Sequence, residues 1–289
     1  MSETPAFLGR QTAAETAKFW ILPAPLDDTA DFLKGQAAAP AAILAASVYV
    51  EPYDEEVAAT PSETAPFHTY ERPLETLVEI QAAAAAALEA GAVPVILGGE
   101  PLVSLGGIRA LSARAEDFTI LHVSARAHLA DPGGRAPEVS SAVMRRALDC
   151  PNLRKIVQVG VRSISAAESE AIFTEDSKVE TFFACDLAKS EDDAWQEDVV
   201  QELSTPVYLS VDASALDRSV VPSVGAPEPG GLLWWDLLRL LKKVSSRRRI
   251  AAFDLVDLIP IEGDLNGEYA VARLAHKIMA YTVVSGKML

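Results

Sequence analysis

An α/β fold, a parallel sheet with helices on both faces, is the class this sequence predicts. The first observation is alternation: short β-rich apolar runs and longer helical stretches follow one another to the end of the 289-residue chain. The second is that the runs are almost continuously apolar, as strands buried on both faces require. The third is composition: 49% hydrophobic and 23% charged residues, with a mean hydropathy of +0.16, describe a chain able to bury a sizeable core.

Strands are predicted at residues 93–97, 118–123, 155–159, 206–211 and 249–253, where apolar and β-branched residues cluster in runs of strand length. The strongest helix signal covers 73–90, because Pro73 suits a first turn, the Ala-rich body has high propensity and Gly91 supplies a stop. Further helices are expected at 102–115, 140–149, 194–203, 234–244 and 269–284. No internal repeat or Ser/Pro/Gly-rich linker divides the chain, so a single domain over 1–289 is expected. Its loosest stretches would be the acidic segments 52–66 and 188–193.

Lys and Arg total 25 against 41 Asp and Glu, a net charge of −16, which disfavours nucleic acid and anionic membranes as partners. Cys150 and Cys185 are too few and too far apart for a disulfide framework or a cysteine zinc site. The first thirty residues carry Glu3, Arg10, Glu15 and Lys18 and no continuous apolar stretch, so a cytoplasmic location is expected. A Gly-x-Ser-x-Gly elbow and a P-loop are absent, Cys150 has no identifiable His partner, and Gly106-Gly107 lacks the spacing of a dinucleotide fingerprint. Serine hydrolases and nucleotide-hydrolysing enzymes are thereby excluded.

In α/β folds ligands bind beyond the carboxyl ends of the strands. There the chain carries Gly98-Gly99-Glu100-Pro101-Leu102-Val103-Ser104, then His122-Val123-Ser124-Ala125-Arg126-Ala127-His128-Leu129, then Tyr208-Leu209-Ser210-Val211-Asp212-Ala213-Ser214-Ala215-Leu216-Asp217. Pro227-Glu228-Pro229-Gly230-Gly231 and Phe253-Asp254-Leu255-Val256-Asp257-Leu258-Ile259-Pro260 follow. In this order the segments resemble the ureohydrolase superfamily of arginases and agmatinases, and the Pro-Glu-Pro-Gly-Gly run resembles the agmatinase branch. Ile21-Leu22-Pro23-Ala24-Pro25, Lys34-Gly35 through Pro40-Ala41-Ala42-Ile43, and Gln158-Val159-Gly160-Val161-Arg162-Ser163 extend the resemblance over nearly the whole chain.

The resemblance implies a three-layer α/β/α fold around a central, mostly parallel eight-stranded sheet, assembled as trimers or hexamers. It also implies two Mn²⁺ ions whose bridging hydroxide attacks a guanidinium carbon and releases urea. The departures concern those ions. The family's metal-binding His after Gly-Gly-Asp is Pro101, its Asp-x-His-x-Asp triplet is Ser124, Arg126 and His128, and the second Asp of its third motif is Ser214. Asp212 alone keeps its residue, and His128 is the other side chain suited to a metal. Ser140 stands where the family has a His for proton transfer, Ala226 where it has Thr, and Asp257 where a longer Glu would bind guanidinium.

Four carboxylates packed together without cations would repel one another and lose hydration. This sequence removes three of them, at Ser124, His128 and Ser214, and adds a permanent cation at Arg126. The expectation is that Arg126 replaces the metals by pairing with Asp212, with His128 sharing that carboxylate. The plainer alternative makes Arg126 an exposed loop residue and Asp212 a turn cap. A mononuclear zinc held by His122, His128 and Asp212 is a minority reading, because a histidine inside an apolar strand is more often a satisfied core residue.

Glu228 is read as a recognition group for a cationic ligand or as part of a rigid Pro/Gly loop. Arg247-Arg248-Arg249 and Glu191-Asp192-Asp193 are read as solvated turns, and Leu232-Leu233-Trp234-Trp235 as core or subunit interface. The functional expectation is a non-catalytic agmatinase relative without a metal cofactor. It would keep a pocket of Glu100, Pro101, Ser124, Arg126, His128, Ser140, Asp212, Ser214 and Asp257, with Arg126, Asp212 and Glu228 able to bind a small guanidino or amine ligand. Such a chain would be a homo-oligomer or a regulatory subunit beside an active relative. The alternative is a hydrolase of a linear amidine or guanidino C–N bond, with one metal or none and His128, Asp212 and Asp257 as acid–base groups.

Overall fold

A computed structural model describes residues 5–132, 138–190 and 194–286. Eight strands form one sheet: β1 (Phe19–Ala24), β2 (Phe67–Thr69), β3 (Val93–Gly98), β4 (Phe118–Val123), β5 (Leu153–Val161), β6 (Val179–Phe183), β7 (Val207–Asp212) and β8 (Ile250–Val256). Their order is β2-β1-β3-β8-β7-β4-β5-β6, and every neighbouring pair is parallel. The sheet is therefore wholly parallel. The helices are α1 (Ala39–Ser47), α2 (Pro61–Thr64), α3 (Leu77–Glu89), α4 (Ser104–Ser112), α5 (Val143–Ala147), α6 (Ala166–Ile172), α7 (Ala184–Leu187), α8 (Ala194–Glu202), α9 (Trp234–Arg247) and α10 (Asn266–Val284).

Strand side chains alternate between two cores, as a period of two requires. Ile21, Leu97 and Leu121 pack with Ile43 of α1, Leu237 of α9 and Ile278 of α10 on one face. Leu22, Ile96 and Ile120 pack with Ile80 of α3, Ile108 of α4 and Met144 of α5 on the other. Since β1, β3, β4, β7 and β8 are buried throughout, their runs are mainly apolar, and the polar residues within them, such as His122, Ser210, Asp212 and Asp254, are hydrogen-bonded.

Several boundaries differ from expectation. Helix α3 begins at Leu77 rather than Pro73, because Thr76 caps it by accepting the Glu79 N–H at 3.2 Å while Glu79 accepts the Glu75 N–H at 2.9 Å. The helices expected from residues 102 and 140 open with 3₁₀ turns, Pro101–Val103 and Ser140–Ala142.

The segment 52–66 is fastened rather than loose. Lys277 of α10, fully buried, reaches Asp54 at 3.0 Å, Glu55 at 2.7 Å and Glu56 at 3.0 Å, and Arg273 reaches Glu55 at 2.6 Å. The arginine cluster is likewise not a solvated turn. Arg247 pairs with Glu197, and Arg248 donates to the Val200 and Leu203 carbonyls at 2.9 and 2.6 Å, tying α9 to α8. Leu232 is buried and Trp234 half-buried against the core, while Leu233 and Trp235 are exposed. The acidic triplet 191–193 lies outside the described residues. Among the described residues no helix is long and apolar enough to cross a membrane.

Candidate functional site

Sheet order decides which loops meet. Strand β7 lies between β4 and β8, with Val123 opposite Val211 and Asp212 opposite Val256. The residues just past β4, from Ser124, and past β8, Asp257, therefore flank Asp212 from either side. On the far side of β8, β3 ends in Gly98-Gly99. A Cβ on Gly99 would lie 2.1 Å from the Leu26 carbonyl oxygen, so only glycine lets the 24–29 segment close over the strand end.

Asp212 is the hub. Its Oδ1 accepts the Ser214 backbone N–H at 2.9 Å and the Ser214 hydroxyl at 2.6 Å. Its Oδ2 accepts the Ser124 hydroxyl at 3.0 Å and faces His128 Nε2 at 3.3 Å. His128 Nδ1 lies 2.8 Å from the Ser140 carbonyl oxygen. Both ring nitrogens thus face oxygen atoms, so the imidazole is held between Asp212 and Ser140. Burial by itself would raise the Asp212 carboxyl, but the hydrogen bond and charge of His128, with Ser214, hold it down at about 2.

Asp257 behaves oppositely. Burial, and then the neighbouring Asp212 charge, push its carboxyl well above the usual range. Its Oδ1 accepts from Gln36 Nε2 at 3.0 Å and its Oδ2 from the Ala226 N–H at 3.4 Å. Gly225 makes room for this packing, since a Cβ there would lie 1.9 Å from Gln36 Nε2 and 2.2 Å from Asp257 Oδ1. Gln36, which the sequence reading passed over, thus fills the space beside the shortened carboxylate.

Glu100 staples the other rim. It accepts the N–H groups of Asp28 and Thr29 at 3.1 and 2.9 Å, the Thr29 hydroxyl at 2.8 Å and the Ser140 hydroxyl at 3.0 Å, and burial raises its carboxyl. Pro101 follows as the first residue of a buried 3₁₀ turn.

The expected Arg126–Asp212 pair is corrected by the structure. Arg126 does not reach Asp212; its Nη2 lies 3.5 Å from Glu228 Oε1, and both side chains are partly exposed. A parallel bridge to Ser163 draws the Arg126 backbone toward the end of β5, away from β7. His128 is Asp212's ring partner instead, and Asp212 also caps the 3₁₀ turn Ala213–Ala215. Glu228 is accordingly engaged by a cation of the chain itself.

The zinc reading is corrected as well. His122 Nδ1 takes an N–H from Gln158 at 3.0 Å, and burial, then His128, lowers its pKa to about 3. Among the described residues no group of three or more His, Cys, Asp or Glu side chains is arranged to hold a metal ion.

Three further features went unread in the sequence. Arg162 donates to the carbonyls of Ser214 at 2.7 Å, Glu228 at 2.9 Å, Pro229 at 2.8 Å and Gly160 at 3.1 Å, clamping the 228–231 loop to the site. The Gly-x-Arg motif was the available signal, with Gly160 at φ +87° beside a register shift in β5. Gln158 bridges His122, the Ala127 carbonyl at 2.7 Å and Thr181 at 3.2 Å. Beneath the site, Asp254 accepts from Tyr208 at 2.7 Å and Ser210 at 2.8 Å, and burial pushes it up to about 7.

The residues do not fit a pair of Mn²⁺ ions. Such a centre needs a dense set of carboxylate and imidazole donors. Pro101 offers no donor atom, Ser124 and Ser214 offer hydroxyls already committed to Asp212, and Arg126 is a cation. What the arrangement does supply is a carboxylate oriented on an imidazole beside a carboxyl whose neutral form burial favours, all within the buried interior.

Comparison with known proteins agrees with this geometry in fold. N(1)-aminopropylagmatine ureohydrolase of Synechocystis sp. is 27% identical over 285 residues, covering 93% of this chain and 90% of that protein. The protein of that name from Thermus thermophilus is 32% identical, with 92% and 91% covered. The crystal structure of agmatine ureohydrolase of Thermoplasma volcanium superimposes with a TM-score of 0.83 at 27% identity, over 98% of this chain and 95% of that one. Proclavaminate amidino hydrolase from Streptomyces clavuligerus shares the fold, with a TM-score of 0.85 at 17% identity over 97% of each chain. Residues 17–284 match the profile of the Arginase family, and the chain belongs to that family.

Proposed function

We propose that this chain acts on a linear guanidino or amidine compound, hydrolysing a C–N bond with acid–base groups at the strand ends and without a binuclear manganese centre. The observation that carries this reading is the His128–Asp212–Asp257 cluster, seated where α/β folds bind ligands. Similarity to N(1)-aminopropylagmatine ureohydrolases over about nine-tenths of both chains supports the substrate class. His128, Asp212 and Asp257 are the acid–base groups of this reaction, with burial favouring the protonated form of Asp257. Arg126 and Glu228 flank the way in, and Glu228 offers a carboxylate to a cationic ligand that displaces Arg126.

A second reading has its own observation: four of the six family ligand positions, Pro101, Ser124, Arg126 and Ser214, lack a side chain suited to manganese, and the cluster residues are bonded to one another. On that reading the chain is non-catalytic. It is then a binding or regulatory subunit, as a homo-oligomer or beside an active relative.

Urea release from N(1)-aminopropylagmatine, agmatine, arginine and guanidinobutyrate, with and without added Mn²⁺, separates the two. Release that disappears in His128→Ala and Asp257→Asn supports the hydrolase. No release from any of the four, together with co-assembly with an active relative, supports the subunit.

A further inference from the structure

We propose that the strand-end site has exchanged its family's paired metal ions for a closed hydrogen-bond network centred on Asp212, and that it excludes divalent cations as folded. The inference does not rest on hydrolysis: a chain that cleaves C–N bonds without paired ions satisfies it as well as one that cleaves none.

An ionised carboxylate offers about four acceptor directions. Those of Asp212 go to the Ser214 N–H, the Ser214 hydroxyl, the Ser124 hydroxyl and His128 Nε2, two on each oxygen. A metal approaching either oxygen displaces one of these donors and leaves it unsatisfied in the interior.

The donors are committed in turn. Ser124 gives its proton to Asp212 and accepts the Arg126 N–H at 3.1 Å. His128 is held between Asp212 and the Ser140 carbonyl. Ser140 gives its hydroxyl proton to Glu100, so the network runs on into the carboxylate beside Pro101. Glu100, the acid nearest the lost histidine position, already has four donors from Asp28, Thr29 and Ser140.

Space and charge act in the same direction. Glu100, Ser124, His128, Ser140, Asp212, Ser214 and Asp257 are all buried. Arg126 puts a guanidinium in place of a metal ligand, and that cation pairs with Glu228 at 3.5 Å. Restoring one ligand alone would therefore add a buried charge without completing a coordination shell. The five replaced positions act as a set.

The test uses the full-length wild-type protein and MnCl₂ as the probe. After chelation and buffer exchange, equilibrium dialysis with metal analysis and Mn²⁺ electron paramagnetic resonance read binding, and thermal unfolding reads its energetic consequence. The expected result is no saturable Mn²⁺ binding at millimolar metal and the same melting temperature in MnCl₂ and in chelator. Saturable binding of two ions per chain, or a melting temperature that rises with Mn²⁺ and falls with chelator, overturns the proposal.

A combined Pro101→His, Ser124→Asp, Arg126→His, His128→Asp and Ser214→Asp variant asks whether these positions are the cause. Saturable Mn²⁺ binding by it supports the assignment, and a variant with native circular dichroism that binds none overturns it. The wild-type titration decides independently of whether this variant folds, and urea release is scored separately.

Discussion

Replacing Asp212 by Asn probes the energetic weight of the strand-end network. The fully buried carboxylate receives two donors on each oxygen. Asn keeps the shape but presents hydrogens on one side, so whichever way it turns, one donor pair faces a donor. Serine hydroxyls can rotate away; the Ser214 backbone N–H and the His128 ring cannot. One stranded buried donor costs about 1–3 kcal/mol.

A separate route gives a similar size. The carboxyl is held at about 2 instead of 3.8, and at about 1.4 kcal/mol per pKa unit the folded state favours its charge by about 2–3 kcal/mol. Against this, Asp257 is relieved of a neighbouring charge when Asp212 is neutralised. The net expectation at neutral pH is a loss of about 2 kcal/mol, or roughly 4 °C in melting temperature for a chain of this size. Urea unfolding of both proteins, with unchanged m, measures it. Because the folded pKa is the lower one, the contribution of Asp212 is complete above its unfolded pKa of 3.8 and disappears as pH falls through about 2. The two proteins should therefore converge in acid. A variant as stable as wild type at neutral pH would refute the reasoning.

Three further outcomes are expected. Lys277→Met takes from the fully buried Asp54 its cation at 3.0 Å, leaving Arg273 and His276 at 4.0 Å and the Glu56 and Val57 N–H groups, and should cost about 3–5 kcal/mol in urea unfolding, with faster proteolysis near residues 51–57. Gly225→Ala places a methyl 1.9 Å from Gln36 Nε2 and should cost about 1–3 kcal/mol, measured as a lower urea midpoint. Asp254 is raised from 3.8 to about 7, so its protonated form favours the folded state; that contribution is complete below 3.8 and is lost as pH rises through about 7. Asp254→Asn should accordingly flatten the fall in melting temperature across that window, and an unchanged slope would count against this assignment.

Burial on both faces is what made most of the sheet readable. Strands β3, β4, β5, β7 and β8 announce themselves because nearly every position must be apolar. Edge strands carry no such obligation. Strand β6 includes exposed Glu180 and half-buried Thr181, and β2 is three residues long with His68 at its centre, so neither forms an apolar run. The segment 52–66 misled for a related reason: its carboxylates look solvated until α10 brings Lys277 and Arg273 against them, more than two hundred residues along the chain.

At the site the requirement was legible and its supplier was not. Removing three carboxylates while keeping Asp212 implies that Asp212 faces compensating donors, and it does. Charge alone nominated Arg126 because a guanidinium is the strongest cation nearby. Backbone geometry decided otherwise. Arg126 bridges to Ser163 at the β5 side, and two residues later His128 takes φ +53°, turning the chain so that its ring comes back over β7. Left-handed conformations at residues other than glycine leave only a faint mark in a sequence, an enrichment of Asn, Asp and His that singles out no one position. Asp257, at φ +69°, is redirected in the same way, onto Gln36 and Asp212. Two of the four described non-glycine residues at positive φ, His128 and Asp257, belong to the cluster, where the hydrogen-bond network can hold that strain; Leu8 and Ala58 lie elsewhere. It follows that His128→Ala should perturb the Asp212 end of β7 more than Arg126→Ala does, even though Arg126 bears the permanent charge.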